Sequence, residues 1–386
     1  MLLEIHKWLV LMLLFIAFNL NAQEKKYEFS GYVSGLHSYG YENYYEDFSY
    51  MNKLNLRLNT MYTPSENLKF NLALHSRNYQ GTWIRKLPNF NSIINPSDDF
   101  FPLSFTFNPA INVYLQIRAD QFNVKYTYNK LEITAGRQRI NWSQTFIWHV
   151  NDLFNNNTFS DLDDPEKHAS DAMRITYYTS ATSMIETVVK INSYNKITWA
   201  TMTRFLINHT EYQIQAGFFD QSDIVIGGGI TKNFNKLSLR AEGSYDVPLK
   251  SNNRFKNSVF VAGASLDYVF GNNMIIQGEV MFNQLKVPSR IDLPNLLFGV
   301  VNNPKILSGS EWNFGLTYRY PVTNRSLLTM LFVYTNDNKG YHFIPSFQFQ
   351  VFNNLQLDLH GQFFSLFLYK SRRNLFMPTL RVKFFF

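Results

Sequence analysis

Along much of this chain, apolar and polar side chains alternate with a period of two. Leu355, Leu357, Leu359 and Phe363 share one side of an extended segment, and Gln356, Asp358, His360 and Gln362 share the other. Successive side chains of a strand point to opposite faces. The last segment repeats the pattern, with Leu380, Val382, Phe384 and Phe386 against Thr379, Arg381 and Lys383. Its apolar face includes the final residue, so it is predicted to close a sheet rather than fray. Nearer the start, Leu54, Leu56 and Leu58 alternate with Lys53, Asn55, Arg57 and Asn59. After the turn Pro64-Ser65-Glu66-Asn67, Leu68, Phe70, Leu72 and Leu74 mirror them against Lys69, Asn71, Ala73 and His75. This reads as a tight hairpin. The phase slips at Asp120-Gln121, where the apolar face passes from Ile117 to Phe122, as a β-bulge would cause.

Eighteen such segments can be counted, with sixteen the next count, each about ten residues long as a tilted membrane-crossing strand requires. Short connections such as Asn129-Lys130 and Asn353-Asn354 alternate with longer ones near 80–110, 141–170, 247–257 and 286–309. Short periplasmic turns alternating with longer external loops are the pattern of an all-β, transmembrane antiparallel β-barrel. An even strand number would leave both termini periplasmic. No composition break divides residues 23–386, and the first strand begins near Phe29, which leaves no room for a plug domain ahead of a single barrel.

The amino terminus reads as a secretory signal over residues 1–22. Lys7 precedes the apolar run from Trp8 to Phe18, and Leu20-Asn21-Ala22 offers a cleavage site. The run is too short to span a bilayer as a helix, and no other stretch approaches that length. With no cysteine, neither a lipid-anchored lipoprotein nor a disulfide scaffold is expected. Aromatics make up 17% of the chain, 36 Phe and 23 Tyr among them, as two interfacial aromatic girdles would need. The formal net charge of +7 shows no basic cluster, so nucleic acid is not an expected partner. The expected partners are outer-membrane lipid, lipopolysaccharide and, through the last strand, the insertion machinery. A homo-oligomer or an outer-membrane complex is also consistent with the pattern.

Assigning the polar parity of each strand to a wet lumen gives its charges. The bases are Lys53, Arg57, Lys69, Arg77, Arg118, Lys125, Arg174, Arg240, Arg319, Arg381 and Lys383. The acids are Asp120, Glu132, Glu211, Glu242, Asp246, Glu279 and Asp358. The excess of bases predicts an anion preference, since fixed charge in a narrow aqueous pore selects its counter-ion. The bland alternative is a solvated wall of mutually paired charges. The loop 141–170 opens with Trp142 and Trp148 and turns acidic with Asp152, Asp161, Asp163 and Asp164. Folded inward, it would constrict the pore, offer rings to sugars and set an acidic face against a basic wall. Those aspartates lack the glycine and distal glutamate of a calcium loop, so no metal or cofactor is predicted.

The terminal aromatic strand resembles the sorting signature of bacterial outer-membrane barrels. Gly136-Arg137-Gln138-Arg139, followed by Trp142, resembles a stretch of alginate-export-type porins and their relatives. That resemblance implies a strand carrying arginine into the lumen, here Arg137 and Arg139 turned by a bulge at Gly136, before a loop that shapes the pore. Histidines are scattered and no Gly-x-Ser-x-Gly elbow exists, so an enzyme is not expected. Gly227-Gly228-Gly229, inside a strand, is read as a site of close packing or bending. The expectation is a passive diffusion channel for small or oligomeric anionic solutes. The second reading is a non-conducting barrel that serves an outer-membrane assembly and docks through 80–110 or 286–309.

Overall fold

The structure, a computed structural model, describes residues 26–42, 47–87, 90–95, 99–155, 169–249, 257–285, 305–337, 339–368 and 371–386. The segment read as a signal, most of the 286–309 connection, and Asp161, Asp163 and Asp164 lie outside the described residues. The strands in chain order are β1 (Tyr27–Glu42), β2 (Asp47–Ser65), β3 (Leu68–Gln80), β4 (Ser104–Ala110), β5 (Val113–Tyr128) and β6 (Leu131–Gln138). Then come β7 (Ser170–Ser180), β8 (Ser183–Ile191), β9 (Ile197–Ile207), β10 (Thr210–Phe219), β11 (Asp223–Phe234), β12 (Leu237–Pro248) and β13 (Val259–Val269). The set ends with β14 (Ile275–Asn283), β15 (Trp312–Thr323), β16 (Ser326–Thr335), β17 (Gly340–Phe352), β18 (Leu355–Leu368) and β19 (Ser371–Phe385).

Every strand but β4 pairs antiparallel with two ring neighbours, β5 pairs with β4 as well, and β19 returns to β1, so eighteen strands close a ring. Phe386 donates its amide to the Gly31 carbonyl at 3.1 Å and accepts from the Gly31 amide at 2.9 Å. The last residue therefore seals the barrel against the first strand. Two-residue turns such as 66–67, 181–182, 208–209 and 353–354 gather at the end that holds the first and last described residues, and the long connections depart from the other. The bulge falls where the phase slips. Ala73 pairs with Gln121 and Leu74 with Ala119, which leaves Asp120 as the extra residue.

The alternation sorts side chains inside out. Asp358 has no exposed surface while its neighbour Leu359 is 52% exposed. Asn55, Arg57, His75 and Arg381 are buried, whereas Leu54, Leu74, Leu380 and Val382 face outward. Lipid offers no hydrogen bonds, so only a ring that pairs its own backbone can present such a face to a bilayer. Outward-facing rings form two belts. Tyr27, Tyr62, Tyr128 and Phe234 lie toward the two-residue turns, and Tyr41, Phe48, Phe260 and Trp312 toward the long connections.

The connection near 80–110 departs from the external loop expected of it. Two helical turns, α1 (Trp83–Lys86) and α2 (Phe90–Ile94), fold inward. Trp83, Ile84, Leu87 and Phe90 pack on Met51, Tyr79, Phe364, Leu375 and Met377. The chain then adds β4, which the strand count did not include. Strand β6 pairs with β5 only along Phe122 to Tyr128. Beyond that, β4 takes its place, with Phe105 opposite Ile117 and Phe107 opposite Leu115. An open edge at membrane depth would leave backbone groups without partners, and β4 covers it.

Gly136, next to that junction, has φ +110. A Cβ there would collide with the Phe122 carbonyl, which accepts no such approach. Gly136→Ala is expected to lower stability by about 1–3 kcal/mol. Gly243→Ala, where the new carbon would sit in ordinary contact at 3.6 Å, is expected to change little. Urea unfolding of both variants in lipid vesicles checks the contrast.

Candidate functional site: an inward loop held by wall carboxylates

The lumen is crossed by residues 140–155, which leave the wall at the end of β6. Their apolar side chains land on two patches. Ile140, Trp142, Leu153 and Phe154 pack on Ala172, Val188, Ala200, Met202, Phe219 and Val225. Ile147, Trp148 and Val150 pack on Val259, Val261, Met281 and Val333. These wall residues occupy the inward parity of their strands, where polar side chains were expected. Their apolar character was a readable sign of a loop docking inside, and it was missed. Gly227 and Gly229 also face inward. A Cβ on either would lie 2.8 Å from Asn151 Oδ1 or 2.5 Å from Gln144 Oε1. The glycine run thus permits close packing of the loop.

Carboxylates of the wall hold the loop backbone. Glu279 on β14 accepts the amides of Phe146 at 3.0 Å, Ile147 at 3.1 Å and Trp148 at 2.9 Å. Glu242 on β12 accepts from Gln144 N and Ser143 Oγ at 2.7 Å, from Val150 N at 2.9 Å, and from the Thr145 hydroxyl. Glu186 on β8 accepts the Trp142 indole N–H at 2.7 Å. Gln213 and Gln215 on β10 donate to the carbonyls of Trp142 and Asn151. Hydrogen bonds from backbone amides to charged groups are the strong ones, and a buried carboxylate needs several. Two expectations are corrected here. The wall beneath the loop is acidic rather than basic, because amide donors need acceptors. Trp142 and Trp148 are 1% and 3% exposed, so their faces are turned to the wall and not offered to solutes. Asp152, with no exposed surface, accepts from the amides of Phe154 and Asn155 and caps a turn within the loop.

The inward arginines form a linked chain across the seam where the loop departs. Arg57 meets Asp120 at 2.7 Å, and Arg118 reaches Asp120 and Asp99, each at 3.6 Å. Arg137 reaches Asp99 at 3.2 Å and forms two bonds to Asp171, at 2.8 and 2.9 Å. It also donates to the carbonyls of Phe101 and Ala119. Arg137 is 1% exposed. The turn at Gly136 puts it in the seam between β4, β5 and β7, where it fastens the wall instead of facing a pore. Arg139, just beyond β6, is half-buried.

The remaining bases fall into two groups. Lys53, Arg77 and Arg381 are inward and buried. Arg381 pairs with Asp358 at 2.6 Å, Arg77 donates to Gln116 at 3.0 Å, and Lys53 lies 5.2 Å from the Tyr79 ring centre. Lys69, Arg174, Arg240 and Lys383 are inward and half-buried, Arg240 paired with Asp267, and Arg319 is exposed on the inward parity of β15. Two buried bases were not foreseen, Lys190, which reaches the Phe154 carbonyl of the inward loop, and Lys305. Lys305 pairs with Asp223 and draws the end of the long 286–309 connection inside.

No protein-family model matches the chain, and no curated sequence is similar to it. Solved structures do match it in fold. OccAB4 of Acinetobacter baumannii aligns with TM-score 0.59 at 12% identity, covering 94% of this chain and 99% of that one. OccK5 (OpdH) of Pseudomonas aeruginosa gives 0.59 at 9% identity over 92% and 97%. OccK11 (OpdR) of the same organism gives 0.57 at 8% over 94% and 96%. The fold is that of an outer-membrane porin. At these identities the likeness is one of architecture, and the porin fold here keeps its own charges and loop contacts.

Removing the Glu279 carboxylate leaves two buried amides, of Ile147 and Trp148, and the part-buried amide of Phe146 without an acceptor, at roughly 1–3 kcal/mol for each buried one. Glu279→Ala is expected to free the loop, and Glu279→Gln, which keeps one acceptor oxygen, to do so less. Hydrogen exchange at the amides of Phe146, Ile147 and Trp148 reads the difference directly.

Proposed function

We propose that this chain is a passive outer-membrane channel that prefers small anionic solutes. The observation that carries the reading is the lumen itself. Its wall is polar on the inward parity of strand after strand, and it is narrowed by loops fastened to that wall. Polar lumens with inward loops are what water-filled barrels use to set pore width. Lys69, Lys125, Arg174, Arg204, Arg240, Arg319 and Lys383 face inward and keep exposed surface. Glu211 apart, the inward acids are more deeply buried than these cations or are occupied by amides, so the charge left for a solute to meet is mainly positive. In this reading the two-residue turns and both chain ends face the periplasm, the long connections face outward, and the last strand is the insertion signal. The outward face meets lipid and lipopolysaccharide, and a homo-oligomer would form through it.

A second reading is favoured by one observation. The apolar clusters built on Trp83, Trp142 and Trp148 lie inside the barrel. A lumen filled in this way suits a non-conducting barrel within an outer-membrane complex. Planar-bilayer recording of the purified protein separates the two. Stable steps, with a reversal potential in a KCl gradient that favours chloride, are expected. Cation preference would overturn the charge reading, and no conductance from a folded, heat-modifiable barrel would sink the channel.

A further inference from the structure

A cavity of about 280 Å³ lies between the inner faces of β5 to β9 and the start of the inward loop. Lys125, Arg174 and Arg204 line it from three different strands, together with Glu132, Glu186 and Trp142. Its two carboxylates already have partners. Glu186 receives the Trp142 indole N–H and the Thr176 hydroxyl, at 2.7 and 2.8 Å. Glu132 receives Lys125 at 2.5 Å and lies 3.7 Å from Arg174. Its donors are in surplus. A guanidinium carries five N–H groups and an ammonium three. Arg204 gives one to Gln213 at 3.0 Å and approaches Glu211 at 3.5 Å. The Nε atoms of both arginines are buried and make no hydrogen bond, that of Arg204 being the one that faces Glu211, so they are closed to a solute and any donation must come from the rest of each guanidinium. A solute that settles here must bring acceptors.

We propose that this cavity binds a dianionic tetrahedral oxyanion, inorganic phosphate or a phosphate monoester. A planar carboxylate is satisfied by one guanidinium fork. Cations that converge from three strands match an anion whose oxygens point in several directions. The side chains of Lys125, Arg174 and Arg204 keep 33%, 23% and 27% of their surface, enough to reach a ligand. The pocket is walled on one side by Trp142, so the docking of the loop also builds the site. The proposal rests on the channel reading for how solute arrives, and names the solute class.

Isothermal titration of the purified barrel in detergent tests it, with inorganic phosphate, glucose 6-phosphate and acetate as probes. Saturable binding of phosphate or glucose 6-phosphate, at least tenfold tighter than acetate, is expected. The tighter of the two phosphates identifies the form bound. Arg174→Gln and Arg204→Gln should each weaken binding about tenfold or more, as the loss of a charge-assisted bond implies. Arg319→Gln, inward but outside the cavity, should not. Heat-modifiability shows that each variant is folded, and the acetate comparison needs no variant. Equal affinity for acetate, no saturable binding, or equal weakening by Arg319→Gln overturns the proposal. A barrel that conducts without binding phosphate defeats this inference alone. One that binds without conducting defeats the channel reading alone.

Discussion

A bilayer supplies no hydrogen bonds, and that constraint governs this structure. Each backbone N–H and C=O at membrane depth must be paired within the protein. Closure of β19 on β1, down to the carbonyl and amide of Phe386, is the direct consequence. With the ring closed, every strand has one face to lipid and one to the lumen. The outward Leu359 and inward Asp358 then follow from position alone.

The same constraint explains the irregular corner. When the chain leaves the wall after Gln138, β5 would lose its partner over Val113 to Arg118. Strand β4 restores the pairing, and Arg137 closes the remaining gap by donating to two carbonyls and one carboxylate. Burying one guanidinium is costly unless its partners are complete. Here they come from Ala119 of β5, Asp171 of β7 and Phe101 just ahead of β4, so the pair ties together the pieces that the departing loop separates. The resemblance to porin arginine stretches implies a pore-facing role for Arg137, whereas the side chain is buried in the wall seam.

The strands were legible because a period of two survives in the sequence whatever surrounds it. The bulge at Asp120 was legible for the same reason, since it shifts that period. Other features were not. Ser-Phe-Thr-Phe of β4 has the right alternation but is too short to stand out inside a long connection. The pairing of Arg57, Arg118 and Arg381 depends on which strands become neighbours, and parity says only that they face inward. The inward apolar residues were visible and unread. Val188, Val225, Val259, Val261, Met281 and Val333 break the polar parity of five strands, and an inward-facing apolar side chain in a wet lumen requires something apolar to cover it.

That apolar cover changes how the charges should be weighed. A count of inward side chains finds a basic lumen, but a charge acts on a solute only where it is not already neutralised nearby. Arg57, Arg118, Arg137 and Arg381 lie in close pairs with aspartates, so their fields largely cancel over a few ångströms. Glu242 and Glu279 are spent on loop amides, whose partial charges offset them in the same way. Lys125 and Arg240 also meet carboxylates, so what survives is set by the remaining cations that retain surface, Lys69 and Arg319 among them, which cluster toward the two-residue turns beneath the loop. Selectivity in such a barrel would therefore reside in that vestibule rather than in a uniformly charged wall, and the loop matters twice, as a narrowing and as one wall of the pocket below it.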